Sequence, residues 1–307
     1  GVKESIFMEN IKDYSGRWRW NMVNDFRPQS IEYSGIKCYP TANYVNYYGM
    51  QNGYPINDMT KADAESGYDP THPWKNRDPR FYKTIMFDGV KWKSTGGAGG
   101  TAELFTGGRE SEEANEKKGC FTAYMNSKLC PQLMNTVDGY KENNIMILSL
   151  MRLADVYLMY AEATAVGYNG PKSKAATYSL TAEEALNKIR ERDGVAPVLD
   201  KFLGSTADFL SELRRERAVE LSFEGFRFID LRRWMLLTQY PYTLKTKIEF
   251  DRADPSDYNY DEPEENAIKN LREVVLLERK YTDRHYWYPL PKKDVSMYEG
   301  FYQNPGW

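Results

Sequence analysis

The chain has 307 residues, 41% of them apolar, which is enough to bury a sizeable core, and its 41 basic and 44 acidic side chains leave a net charge of −3. That balance gives no electrostatic reason to expect nucleic acid, whose binders usually carry a basic stripe. No apolar run approaches the ~20 residues that a membrane-spanning helix needs, and the sequence reads as one continuous unit.

Residues 1–145 are rich in Gly, Pro, Asn and Tyr and hold no long 3.6-residue period, which predicts loops, short strands and brief helices, the segments on which binding surfaces tend to sit. Near the start, Tyr14, Arg17, Trp18, Arg19, Trp20 and Asn21, then Asn24, Asp25, Phe26, Arg27 and Tyr33, mix aromatic faces with hydrogen-bonding groups. A sugar ring offers axial C–H groups on one face and hydroxyls at its rim. An exposed indole covering ~100 Å² of that face would gain about 2 kcal/mol at ~25 cal/mol per Å², and neighbouring Arg, Asn and Asp would fix the hydroxyls. The structural alternative is a strand at Trp18 and Trp20 that turns one of them toward the core. Spacing leaves both open.

Tyr44 and Tyr48, at helical spacing beside Tyr47, are expected in the core. Pro79 disfavours helix at Asp78, so Arg77, Asp78 and Arg80 are expected to satisfy a turn, and His72 to be a loop residue. Phe87 to Trp92 reads as a hairpin leading into a glycine-rich, mobile loop that lacks the G-x-x-x-x-G-K-[ST] order of a phosphate cradle. Cys38, Cys120 and Cys130 contain no C-x-x-C pair and have no His at ligand spacing; Cys120 and Cys130 could close a short loop, which sequence alone does not settle.

Residues 146–307 read as a helical core followed by C-terminal loops. Leu153, Val156, Tyr157 and Tyr160 fall at i, i+3, i+4 and i+7 and are expected to face the core. Thr181 with Glu184 forms a capping box before Ala185, Leu186 and Ile189, and Gly194 supplies the stop. A second capped helix is predicted from Ser205 or Thr206 to about Phe223, closed by Gly225. Its end and sequel alternate Glu216, Glu220, Glu224 and Asp230 with Arg214, Arg215, Arg217, Arg227, Arg232 and Arg233 among apolar residues, where an ordinary amphipathic helix separates the classes. Either these groups pair as bridges that clamp the helix to its neighbours, or they form a solvated face with i,i+4 pairs worth about 0.3–0.5 kcal/mol each. Glu249 to Asn266 reads as an acidic excursion before a helical Glu265 to Lys280.

Three ordered strings, Arg152 to Ala163 (RLADVYLMYAEA), Ala185 to Arg192 (ALNKIRER) and Glu216 to Trp234 (ERAVELSFEGFRFIDLRRW), resemble the C-terminal core of the SusD/RagB family. Glu4-Ser5-Ile6-Phe7, Pro40 to Pro55, Asn76 to Phe81, Tyr288 to Pro291 and Gln303 to Trp307 are similar to further family segments, so the resemblance spans the chain. It implies a mainly α fold, a tetratricopeptide-like α-superhelical scaffold packed against a loop-rich region with short strands. It also implies the C-terminal part of a longer outer-membrane lipoprotein, lipid-anchored at the cell surface through an upstream cysteine. Such a protein would bind a glycan and deliver it to a SusC-like TonB-dependent transporter. The family draws some ligand-stacking aromatics from the region just after E-S-I-F, which points to Trp18, Trp20 and Tyr33 as stacking residues, with Arg17 and Arg27 as hydroxyl or carboxylate partners.

Catalytic patterns are thin. Only His72 and His285 exist, no G-x-S-x-G appears, and the chain is expected to be no enzyme. A glycoside hydrolase needs only two carboxylates ~5–10 Å apart, but Glu162, Glu220, Glu224 and Asp230 have arginine neighbours that suit a bridge better than a general acid. No cofactor is expected. Calcium at the acidic residues Asp251 to Glu265 is the exception kept open, although the EF-hand order is missing. The competing functions are peptide capture as in RagB-like relatives, glycoside hydrolysis, and a helical-repeat adaptor that binds protein only.

Overall fold

The computed structural model describes residues 4–8, 39–94, 97–114, 119–128, 138 and 149–307. Short elements punctuate the first half: strand β1 (Ser5–Met8), helix α1 (Ala42–Val45), helix α2 (Pro79–Thr84), and strands β2 (Ile85–Met86) and β3 (Met125–Asn126), which pair antiparallel. Their core is aromatic. Trp74 stacks on Phe87 at 5.0 Å, Phe87 on Phe81 at 5.2 Å, and Phe250 meets Trp74 edge-on at 5.2 Å, the offset and T-shaped arrangements that ring quadrupoles favour. Tyr48 is fully buried against Phe81 and the half-buried Tyr44 donates to the Ala218 carbonyl at 2.6 Å, as their spacing implied.

Asp78 caps α2 by accepting from the Arg80 amide at 2.9 Å, with Pro79 at the first helical position, where a missing N–H costs nothing. Arg77 is buried, and its guanidinium donates to the carbonyls of Val45, Tyr48 and Pro73 at 3.1, 3.0 and 2.9 Å. These groups serve the turn, as expected.

Strand β4 (Ser149–Arg152) pairs antiparallel with β1 and runs directly into helix α3 (Leu153–Gly167). Helices α4 (Ala182–Asp193) and α5 (Thr206–Glu220) pack on α3 around a shared apolar cluster. The buried stripe of α3 is Ala154, Leu158, Ala161 and Ala165, one position away from the predicted one. Leu153 is exposed and Tyr157 and Tyr160 only flank the core, because small alanines let the neighbouring helices approach and the larger side chains move to the edge. The Thr181/Glu184 capping box is present in both directions, at 3.2 and 2.7 Å, and Gly194 closes α4 at φ +74°, a left-handed conformation that favours glycine.

Helix α5 stops at Glu220, three residues earlier than predicted, because Leu221 to Glu224 form a turn with Phe223 at φ +60°. Gly225 then opens helix α6 (Phe226–Arg233) rather than closing α5. The largest departure follows. The start of the predicted acidic excursion and most of the predicted helix belong to an antiparallel hairpin of strands β5 (Leu244–Arg252) and β6 (Ile268–Glu278), paired from Leu244↔Glu278 to Arg252↔Ile268 with two register shifts, while residues 253–267 remain the connection between them. Glu249 to Arg252 thus lie in β5, and the expected helix at Glu265 to Lys280 is mostly strand. Alternation decides it: Ile248 and Phe250 enter the aromatic core while Lys247 and Glu249 face outward, and the β-branched Val274 and Val275 suit the pleat. Arg252 pairs with the buried Asp88 at 2.7 Å, tying the hairpin to the first half.

After a short helix, α7 (Lys292–Val295), the end of the chain folds back: the Gln303 side chain bonds both backbone groups of Leu290 at 2.7 and 2.8 Å, and Trp307 Nε1 donates to the Arg284 carbonyl at 2.9 Å. Among the described residues no helix is long and apolar enough to cross a membrane.

Candidate ligand-binding surface

The charged run is a buried network. On one face of α5, the buried Glu212, Glu216 and Glu220 pair with arginines from three other segments, α2, β4 and α4. Arg190 of α4 donates to Glu212 and, at 2.9 Å, to Glu216; Arg80 of α2 donates to Glu216, to Glu220 at 3.1 Å and to Asp78 at 2.7 Å. Arg192 and Arg152 reach Glu220 at 2.8 and 2.5 Å, and Arg152 with Lys128 holds Glu224 at 2.7 Å each. Beyond them Arg217 bridges Asp155 and Asp230 at 2.8 and 3.0 Å, and Arg233 joins Asp230 to Glu162 at 2.7 and 2.6 Å. Of the two sequence readings, bridges or a solvated face, the structure selects bridges for Arg215, Glu216, Arg217, Glu220, Glu224, Asp230 and Arg233, whereas Arg214, Arg227 and Arg232 make no ion pair among the described residues.

The electrostatics follow from this packing. Burial pushes the Glu216 carboxyl up, but the guanidiniums of Arg80 and Arg190 outweigh it and hold it at about 2. Burial opposes Glu220 likewise, and Arg152, Arg80 and Arg192 hold it well below the usual carboxylate range. A general acid needs the opposite shift. Asp193 is raised, by burial first and also by the Glu220 charge, yet it is locked against Arg192 at 2.5 Å. These carboxylates are structural.

The residues singled out for stacking and hydroxyl contacts, Arg17, Trp18, Trp20, Arg27 and Tyr33, lie outside the described residues. His72 is a turn residue against Asp69, as expected, and His285 caps its own short turn at Thr282. In the loop-rich half, segments 104–113 and 119–123 and strand β5 line a small open groove of about 20 Å³, whose walls include Thr106, Glu112, Phe121, Lys247 and Glu249. Lys247 Nζ sits 2.8 Å from Glu249 and 3.3 Å from Glu112. That space has room for about one water or a single hydroxyl beside these charged groups. The Cys120 thiol, also in this wall, is free, buried and pushed up to about 11 by desolvation, so it is a packing group.

The sequence matches the SusD family over residues 3–307. The chain belongs to the SusD family. Among curated proteins none matches this SusD-family chain. Solved structures similar to it include a SusD-like protein from Bacteroides fragilis, at 22% identity and TM-score 0.68 over 99% of this chain and 54% of that one. BT4246 matches at 21% identity and TM-score 0.66, over 100% of this chain and 51% of its own. A SusD-like carbohydrate binding protein from Bacteroides fragilis matches at 19% identity and TM-score 0.52, over 84% and 47%. This SusD-family chain therefore spans about half the length of the solved structures it matches, and those likenesses establish the fold.

Sequence reasoning did not find the groove of this SusD-family chain, because Phe121 and Lys247 are far apart in the chain and neither stands in a motif. The alternation of Lys247 and Glu249 with Ile248 and Phe250 was the available signal.

Proposed function

We propose that this SusD-family chain captures an oligosaccharide or polysaccharide without cleaving it and passes it to a SusC-like TonB-dependent transporter. It would work at the cell surface, in a lipoprotein held to the outer membrane by an anchor upstream of these residues. Family membership over residues 3–307 carries the reading. Two observations support it: the carboxylates of the strongest motif are held ionised by arginines, which suits a scaffold, and a chain of similar fold is named a carbohydrate binding protein. A tetratricopeptide-like helical layer, stiffened by the ion pairs, would hold the loop-rich half in one shape, and a preformed surface lowers the ordering cost of binding.

Trp18, Trp20 and Tyr33 would stack on sugar rings, with Arg17 and Arg27 fixing hydroxyls or carboxylates. At about 2 kcal/mol per indole face, loss of one tryptophan weakens binding roughly 30-fold. Isothermal titration of the unsubstituted chain, Trp18→Ala and Trp20→Ala with oligosaccharides tests this. Saturable binding that falls in either variant supports it. Unchanged affinity in both removes these residues from the site, and a response to peptides but to no glycan replaces the cargo.

A further inference from the structure

Where α6 meets the start of β5 and the end of β6, three cations converge with no carboxylate between them. The Arg279 amide donates to the Thr243 carbonyl at 2.9 Å, so Arg279 stands opposite Thr243, and Lys245, two residues along, lies diagonally across the strand pair. Lys245 Nζ donates to the Tyr242 carbonyl at 3.3 Å. Arg227 of α6 lies 5.6 Å from the Tyr242 ring centre and 4.7 Å from that of Tyr47, and Arg279 donates to the Tyr281 hydroxyl at 2.9 Å.

None of the three makes an ion pair among the described residues, in contrast to the scaffold cations Arg80, Arg152, Arg190, Arg217 and Arg252. Of the carboxylates on adjoining elements, Glu278 stands opposite Leu244, so strand alternation turns it to the face away from Lys245 and Arg279, and the others are committed elsewhere. Glu224 binds Lys128 and Arg152, and Glu273 accepts from the Thr246 hydroxyl. Desolvation, then the positive charges of Arg279 and Arg227, pull the half-buried Lys245 ammonium down to about 8. Like charges gathered beside aromatic rings are a cost to the free protein that an anion would relieve.

We propose that Arg227, Lys245 and Arg279, framed by Tyr47, Tyr242 and Tyr281, form an anion-binding subsite for the carboxylate or sulfate of an acidic sugar. The carrier, a sugar, rests on the glycan-capture reading; the anion rests on this cluster. Guanidinium and ammonium groups supply charge-assisted hydrogen bonds to oxyanions, and the tyrosine rings supply faces and hydroxyls for the ring that bears the charge.

Isothermal titration of the chain with three tetrasaccharides of one linkage, neutral, uronate-bearing and sulfated, tests the subsite. The expected result is that one acidic form binds about ten-fold or more tighter than the neutral one, that added salt shrinks this advantage, and that Lys245→Gln and Arg279→Gln erase it. Arg279 is exposed at a strand end, so its variant keeps the test open if Lys245→Gln fails to fold. A preference for uronate or for sulfate assigns which oxyanion is taken. Equal binding of acidic and neutral forms, or an advantage that survives Arg279→Gln, overturns the subsite and leaves glycan capture standing. No binding by any of the three removes both.

Discussion

Arg190 and Glu216 meet at 2.9 Å between α4 and α5 with 1% of either side chain exposed. A charge so enclosed is tolerable only when its partner stays, since the desolvation cost of each is repaid by the other and by the remaining hydrogen bonds. The pair therefore fixes how the helices sit, and with Arg80 it carries that geometry to the turn at Asp78 in the loop-rich half.

Truncating one member exposes this dependence. Arg190→Ala leaves Glu212 and Glu216 buried with one guanidinium fewer, and a loss of about 3–5 kcal/mol in urea unfolding is expected. Lys188→Ala removes only the exposed pair with Glu191 at 3.2 Å and should stay within about 0.5 kcal/mol. Equal losses in the two variants would mean that the network is solvated in solution.

Acid should release the network over a defined window. The Glu216 carboxyl is held at about 2 when folded, against about 4.3 for a free glutamate. Its contribution is complete above pH ~4.3 and is lost as pH falls, because the unfolded chain takes up the proton first. Glu220 acts in the same sense, whereas Asp193, pushed up, acts in the opposite one. Melting temperature should be flat near neutrality and drop steeply between pH ~4.3 and 2. Glu216→Gln should start lower and fall less. A Tm in the unsubstituted chain that holds to pH 2 contradicts this.

Close packing between the two halves gives a backbone test. A Cβ on Gly49 would stand 2.3 Å from the Tyr54 carbonyl oxygen and 2.9 Å from Arg215 Nη1, so Gly49→Ala must displace backbone. A loss of roughly 1–3 kcal/mol or more follows. Thr181→Ala, which removes only the helix cap, should cost about 1 kcal/mol. Chemical denaturation that ranks them in the reverse order would contradict the packing at Gly49.

What the sequence revealed was what is local. Thr181, Glu184 and Gly194 announced α4 because a cap and its partner lie within one turn. Burial of the charged run was not legible, because Arg80 reaches Glu216 across 136 positions and no spacing rule links them. The hairpin was missed for a related reason: Val274 to Leu277 is a short apolar run that fits helix or strand equally, and its pairing with β5 decides. The sugar-contact candidates Arg17, Trp18, Trp20, Arg27 and Tyr33 were read from composition and resemblance and lie outside the described residues, and the groove near Lys247 was not read at all.

The most direct measurement of the capture account joins binding and turnover in one sample. Neutral and acidic oligosaccharides are titrated calorimetrically into the chain, held with it for a day, and their chain lengths then read by mass spectrometry. Saturable heat with every oligosaccharide recovered at its original length is the predicted result. Shortened products that appear with the chain and not without it would contradict it.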